Sequence, residues 1–224
     1  MPGRISVVVP ALNEARGIVG CLEALAPLRA HGHEVVVVDG GSDDGTVELA
    51  RPLADRVLTA PRGRALQMNA GARAASGDAL LFLHADVHLP EGANGMVREA
   101  LATRRWGRFD VALDSPRALL ALVGAMMNLR SRLTGIATGD QALFVRRDVF
   151  ESAGGYAEIP LMEDVELSAR LRRLGRPACL RARVLVSARR WEARGALRTI
   201  VLMWRLRLAH YLGADPGRLA ERYR

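Results

Sequence analysis

Two adjacent carboxylates, Glu163 and Asp164, open the segment Leu161-Met162-Glu163-Asp164-Val165-Glu166-Leu167. It continues through Arg170-Leu171-Arg172-Arg173-Leu174-Gly175 with the apolar spacing of an amphipathic helix. Carboxylates in a first helical turn either complement the helix dipole or act as a catalytic base. Glu166 stands four residues before Arg170, the spacing of an ion pair along one helix face. Polar groups also close three earlier apolar runs. Asn13 and Glu14 follow Ser6-Val7-Val8-Val9-Pro10-Ala11-Leu12, and His84 and Asp86 follow Leu81-Phe82-Leu83. Asp39 ends Glu34-Val35-Val36-Val37-Val38 and opens the loop Gly40-Gly41-Ser42-Asp43-Asp44-Gly45-Thr46. An Asp before two glycines either faces a ligand or forms an Asx-turn that serves only its own loop.

These groups need a scaffold that brings them together. β-branched runs flanked by turn residues predict strands over 5–10 and 34–39, and Ile18, Cys21, Leu22 and Leu25 mark one helix over 14–28 between them. The alternation continues as a helix over 44–51, a strand over 56–59, an Ala-rich helix over 64–75 and a strand over 79–84. Continuous apolar strands alternating with helices imply an α/β fold, a mostly parallel central sheet with helices on both faces. Ligands in such sheets bind beyond the carboxyl ends of the strands, which puts Asn13, Asp39 and Asp86 on one rim. Farther along, strands are expected over 108–113, 142–145 and 179–187. Helices are expected over 116–133, over 163–174 with Gly175 and Pro177 as stops, and over 196–212. Arg194, Arg198 and Arg205 share one face of the last region and Arg207 falls opposite. Packing against the sheet is expected there, with an interfacial position at a membrane as the alternative. With 224 residues, no internal repeat and no Ser/Gly-rich linker, the chain reads as a single domain.

Composition removes several functions. All 32 basic side chains are arginine and the formal charge is +8. Without lysine there is no Walker-type phosphate loop and no side-chain Schiff base. The arginine excess calls for an anionic partner: diphosphate, lipid headgroup or nucleic acid. Aromatic residues at 4% and the lack of a basic recognition helix argue against nucleic acid. Cys21 and Cys179 lack metal-binding spacing and read as two buried free thiols in a reducing, cytoplasmic setting. The N-terminal apolar run is broken by Pro10 and is too short for a secretory signal. The stretches 118–129 and 200–212 fall short of the roughly 20 apolar residues that cross a bilayer. A cytoplasmic protein, soluble or peripheral at the inner face of the membrane, is expected.

Pro10-Ala11-Leu12-Asn13-Glu14, the Asp39 to Thr46 loop, Asn69-Ala70-Gly71 with Ala75-Ser76-Gly77-Asp78, the Asp86 segment, Gly139-Asp140-Gln141 and Glu163-Asp164 occur in that order. Any one of these motifs is weak. Six in register over most of residues 4–175 resemble the family 2 glycosyltransferases, and in particular their small soluble bacterial members. The resemblance implies a GT-A-like domain with a nucleotide-sugar-binding half over about 1–113 and an acceptor half over about 114–224. It implies inverting, divalent-metal-dependent transfer of a sugar from a nucleoside-diphosphate donor to a hydroxyl acceptor, either lipid-linked or a glycan. Donor binding would fall to Pro10, Asn13, Glu14, Asp39, Arg64, Asn69, Asp86 and Arg190, with Asp39 on the base. Arg62 is a further candidate for the base or phosphates.

Asp86 matches the last residue of the family's Asp-x-Asp motif and would hold Mg²⁺ or Mn²⁺ against the diphosphate, as hard cations are held by few carboxylates plus substrate phosphates. His84 stands in place of the first Asp. Alternation along an extended segment puts it on the side of Asp86, where imidazole would join the metal shell and favour Mn²⁺. His88 reads as solvated. Asp164 would be the general base, with Glu163 orienting it or the acceptor, and Gly139, Asp140, Gln141 and Trp191 would border the acceptor. Two departures from the family pattern stand out. Gly40 replaces a second Asp, and Ser187 replaces the Gln of a Gln-x-x-Arg-Trp element ending in Arg190 and Trp191, so processivity does not carry over. Two rival readings stay open: a nucleotidyltransferase, for which Ala11-Leu12-Asn13-Glu14 lacks the Gly-rich basic loop, and a non-catalytic nucleotide-binding or peripheral membrane module.

Overall fold

The computed structural model describes residues 3–223, the side chains of Arg190 and Arg194 excepted. Strands β1 (Ile5–Ala11), β2 (Glu34–Asp39), β3 (Arg56–Thr59) and β4 (Ala79–Phe82) alternate with helices α1 (Ile18–Ala24), α2 (Ala26–Ala30), α3 (Thr46–Ala50) and α4 (Arg64–Ala74). Then come β5 (Val87–His88), α5 (Ala93–Thr103), β6 (Trp106–Asp114), α6 (Ala118–Thr134), a 3-10 turn at Gly139–Gln141, β7 (Phe144–Arg146) and α7 (Arg147–Ser152). The chain continues through α8 (Glu163–Leu174), β8 (Ala178–Ser187), α9 (Arg189–Arg194), α10 (Ala196–Tyr211) and α11 (Pro216–Tyr223).

The strands form one sheet in the order β3-β2-β1-β4-β7-β6-β8-β5. From β3 to β4 all pairings are parallel, as the apolar runs predict. Beyond β4 the sheet is mixed: β7 runs antiparallel to both β4 and β6, β8 pairs parallel with β6, and β5 pairs antiparallel with β8. β7 is a three-residue strand reached from β6 through α6 and the 3-10 turn. Strand alternation divides the core into two layers. Val7, Val9, Val35, Val37 and Leu81 face one side, and Val8, Val36, Val38, Leu80 and Phe82 face the other. Helix α4 lies so close to the second layer that a Cβ on Gly71 would come within 2.4 Å of Val8 Cγ1, which explains a glycine inside a helix.

A buried polar clamp holds α6 on the sheet. Asn128 Oδ1 accepts from Val111 N–H at 2.8 Å and its Nδ2 donates to Val111 O at 2.9 Å, next to the register shift of β6 at Phe109/Asp110. The fully buried Arg108 pairs with Asp110, and Arg132 reaches the other oxygen of the same carboxylate.

Several local expectations change. The single helix over 14–28 is two helices broken at Leu25, because Pro27 at the start of α2 has no N–H to continue the first. β4 stops at Phe82, short of His84. Cys21 is buried, but Cys179 is only half-buried. Helix α10 does not pack its length on the sheet: Ala196 and Ile200 reach the main core, whereas Leu206 joins Leu161, Met162 and Leu219 in a satellite cluster. Leu197, Val201, Trp204, Leu208 and Tyr211 remain exposed. No helix among the described residues is long and apolar enough to cross a membrane.

Replacing Asn128 with Ala leaves the Val111 N–H and C=O buried and unpaired, and is expected to cost about 2 to 3 kcal/mol. Urea denaturation reads this directly, and an unchanged midpoint would contradict the clamp.

Candidate active site

The carboxyl ends of β1 and β4, the start of α4 and the 158–161 segment surround a cleft of about 600 Å³. Pro10 and Glu14 line it from the first strand and its loop, Arg62 and Arg64 from the entry to α4, and His84 and Asp86 from the loop after β4. Asp140 closes one side and Tyr223 of α11 another. One cleft therefore gathers Pro10, Glu14, Arg64, His84, Asp86 and Asp140 from separate parts of the sequence.

Other residues singled out by sequence hold the cleft from behind. Asp39 is 3% exposed, and its Oδ2 accepts from the N–H groups of Gly41 (2.8 Å) and Ser42 (3.0 Å) while Oδ1 accepts from the Ser42 hydroxyl. This is the Asx-turn alternative, and the carboxylate is turned into its own loop rather than toward the cleft. Asn13 is exposed and links two loops: its N–H donates to Ser42 Oγ and its Oδ1 accepts from Asp43 N–H. Asn69 also turns away, bonding Tyr156 through both amide atoms at 2.9 Å and anchoring the segment after α7 to α4. Gln141 is fully buried, with Oε1 accepting from Thr138 N–H. Trp191 lines a neighbouring cavity between α6 and α10 that Asp140 and Tyr223 also border. The Arg190 side chain lies outside the described residues.

At the far side of the cleft Met162 takes a left-handed backbone, φ 69°, and turns the chain sharply into α8. Glu163 and Asp164 thereby sit in the first turn of that helix, where negative charge complements the dipole. Asp164 Oδ2 accepts from Gly139 N–H at 2.7 Å. Glu163, 2% exposed, is joined to Arg64 Nε at 2.8 Å. Burial and the neighbouring Asp164 charge outweigh Arg64 and push the Glu163 carboxyl up to about 7. Glu166 pairs with Arg170, as their spacing predicts.

His84 lies against the 139–140 turn. Its Nδ1 lies 3.6 Å from Asp140 Oδ1, and a Cβ on Gly139 would stand 2.6 Å from its Nε2. Both ring nitrogens thus lie beside the 139–140 turn. Burial lowers the affinity of this imidazole for a proton, but the hydrogen bond and charge of Asp140 outweigh it and leave its pKa raised. No three His, Cys, Asp or Glu side chains among the described residues form a ready-made metal cluster. Asp86, half-buried on the cleft wall, fits a hard cation of the kind that takes most of its ligands from substrate phosphates and water.

Sequence reading missed Gln67, whose Nε2 donates to Ala11 O (2.8 Å) and Val38 O (2.9 Å) and so ties the ends of β1 and β2 together. It also missed Arg130. The available signals were single polar residues on otherwise apolar helix faces.

The family model for "Glycosyl transferase family 2" matches residues 6–117. The chain is 31% identical over 160 residues to a PGL/p-HBAD biosynthesis glycosyltransferase of Mycobacterium bovis, covering 67% of this chain and 62% of that protein. It is 32% identical over 199 residues to the succinoglycan biosynthesis protein ExoA of Rhizobium meliloti, covering 75% and 58%. The chain thus spans less than two thirds of the length of these relatives. The fold is similar to that of the mannosyltransferase PcManGT from Pyrobaculum calidifontis in complex with GDP-Man and Mn²⁺, with TM-score 0.68, 22% identity and coverage of 99% of this chain and 69% of that one. It is also similar to S. aureus TarS 1–349 in complex with UDP-GlcNAc, with TM-score 0.65, 19% identity and coverage of 82% and 58%.

The raised Glu163 carboxyl makes stability depend on pH. The folded state holds a proton that the unfolded chain releases from about 4.5 upward, so this contribution is full below about 4.5 and is lost as pH rises through about 7. Glu163→Gln removes it, and the variant's melting temperature is expected to rise relative to wild type between pH 5 and 8. A constant difference across that range would refute the assignment.

Proposed function

The chain belongs to glycosyl transferase family 2, and from that premise we propose that it transfers a sugar from a nucleoside-diphosphate donor to a hydroxyl acceptor with inversion at the anomeric carbon. The observation that carries this reading is the meeting of two sides at one place. Arg64 and Asp86 stand on the donor side of the cleft, and Arg64 is joined to Glu163 next to Asp164 on the opposite side.

Asp164 is the general base of this reading. Its Oδ2 is oriented by Gly139 N–H, and it takes the proton of the acceptor hydroxyl as that oxygen bonds to the anomeric carbon. The bond from that carbon to the phosphate oxygen breaks, and the electron pair leaves with the nucleoside diphosphate. Glu163 and Arg64 act as a positioned pair: the guanidinium brings positive charge to the side where the departing diphosphate gains negative charge. A divalent ion held by Asp86 would supply charge neutralisation to that diphosphate. Glu14 and Pro10 border the donor from the first strand, and Asp39 and Asn13 keep the 40–45 loop in place beneath it.

The relatives named above support the donor class. The PcManGT structure is in complex with GDP-Man and Mn²⁺, and that of TarS with UDP-GlcNAc. The nucleotidyltransferase alternative gains no support, since the loop after β1 offers neither a glycine run nor a basic side chain at the cleft.

Replacing Asp164 with Asn keeps the Gly139 contact sterically and removes the base. Turnover of nucleotide sugar is expected to fall about 10²- to 10⁴-fold while nucleoside-diphosphate affinity stays within about twofold. Retained turnover, or pyrophosphate release from a nucleoside triphosphate, would contradict this function.

A further inference from the structure

The second cavity, about 440 Å³, lies between α6 and α10 and meets the donor cleft at Asp140 and Tyr223. Its walls are apolar: Leu122, Met126, Leu202, Met203 and Trp204 among them. The rim is open to solvent, with Leu122 57%, Met126 50% and Trp204 68% exposed. Continuous with it, Leu197, Val201 and Leu208 of α10 are exposed too, which makes one apolar surface larger than scattered single residues would give.

Two arginines interrupt this apolar lining. Arg130 and Arg207 both border the cavity, and Arg130 Nε and Nη2 and Arg207 Nε are buried without any hydrogen-bond partner. Unpaired guanidinium N–H groups in an apolar cavity are costly, and a second like charge nearby adds to the cost. Burial and the charge of Arg207 pull the Arg130 guanidinium down to about 10. Burial lowers Arg207 as well, with Asp164 and Asp140 acting the other way. The two cations therefore lie within electrostatic reach of the proposed base. Guanidinium groups in this state match a phosphate, whose oxygens accept several charge-assisted hydrogen bonds at once.

We propose that the α6–α10 groove is the acceptor site and that its occupant is an amphiphile, with an apolar chain along the groove and a phosphate-bearing, hydroxyl-bearing head between Arg130, Arg207 and Asp164. This deepens the transferase reading and rests on it for the word acceptor. The groove's apolar rim takes the chain, the buried N–H groups take the phosphate, and the shared border at Asp140 brings the hydroxyl to the donor cleft. Sequence hinted at one part of this, since Arg207 falls on the helix side opposite Arg198 and Arg205. Arg130 stands four residues after Met126 on the groove-facing side of α6.

The test is calorimetric titration with decyl phosphate, decyl maltoside and inorganic phosphate, the amphiphiles kept below their micelle concentrations. Wild type is expected to bind decyl phosphate at least about tenfold tighter than either of the others, because chain and charge each contribute. Arg130→Gln and Arg207→Gln should lower decyl phosphate affinity to the level of the neutral probe. Both should fold at least as stably as wild type, since each removes an unpaired buried charge. Met126→Glu, at a half-exposed rim position, should weaken both amphiphiles about tenfold. Equal affinity for charged and neutral chains overturns the proposal, and so does inorganic phosphate binding as tightly as decyl phosphate. Displacement of decyl phosphate by a nucleoside diphosphate would also overturn it, by assigning the arginines to the donor. Nucleotide binding is titrated separately, so a failed donor site appears as lost nucleotide binding with groove binding intact, and a failed groove as the reverse.

Discussion

The hydrogen bond from Gly139 N–H to Asp164 Oδ2 is the contact on which the arrangement of the site depends. It joins the 3-10 turn to the first turn of α8, two segments separated by β7, α7 and a loop. Gly139 also lies close against the His84 ring, so the loop after β4 is referenced to the same turn. Any side chain at 139 would enter the imidazole ring and push the donor-side loop away from the base. Arg64 adds the third tie through Glu163, and with it the start of α4. One glycine, one hydrogen bond and one ion pair thus hold the loop after β4 and the start of α4 against the segment of the proposed base.

Backbone strain is concentrated in the same region. Asn13, Ala142 and Met162 are the described non-glycine residues with positive φ, and they flank the 40–45 loop, the 139–141 turn and Glu163 respectively. Left-handed backbone at such residues costs of order 1–3 kcal/mol each, and it persists where surrounding contacts overdetermine it. Met162 is held by the satellite cluster of Leu161, Leu206 and Leu219, so α10 and α11 fix the entry to α8 as well as shaping the groove beside it. The stability of these two C-terminal helices is thereby coupled to the geometry of the base.

The parallel half of the fold was legible because each of its strands carries its own local signal: Val7-Val8-Val9 and Val35-Val36-Val37-Val38 admit no other reading. The mixed half was not, because the direction of β7 is decided by which strands it joins, and three residues hold no such information. In the site, Asp86 and Asp140 line the cleft, and Glu163 and Asp164 stand behind it, tied to Arg64 and Gly139. Sequence did not settle whether the Asp39 carboxylate would accept from its own loop, as it does at Gly41 and Ser42. Nor did it foresee that His84 would be claimed by Asp140 and Gly139, since that contact spans more than fifty residues. Arg130 was obscured by composition: its place on a largely apolar helix face is a weak signal among 32 arginines, and its unpaired buried nitrogens are set by packing against α10.

In the proposed reaction the cleft at Asp86 takes a nucleoside diphosphate together with a divalent ion. Calorimetric titration of UDP, GDP, CDP and dTDP, each with Mn²⁺, with Mg²⁺ and with chelator, tests it in wild type and in Asp86→Ala. At least one nucleotide is expected to bind wild type only with metal, and Asp86→Ala is expected to abolish that metal dependence. Nucleotide and metal affinities unchanged in Asp86→Ala, or no nucleotide binding in wild type under any condition, would contradict it.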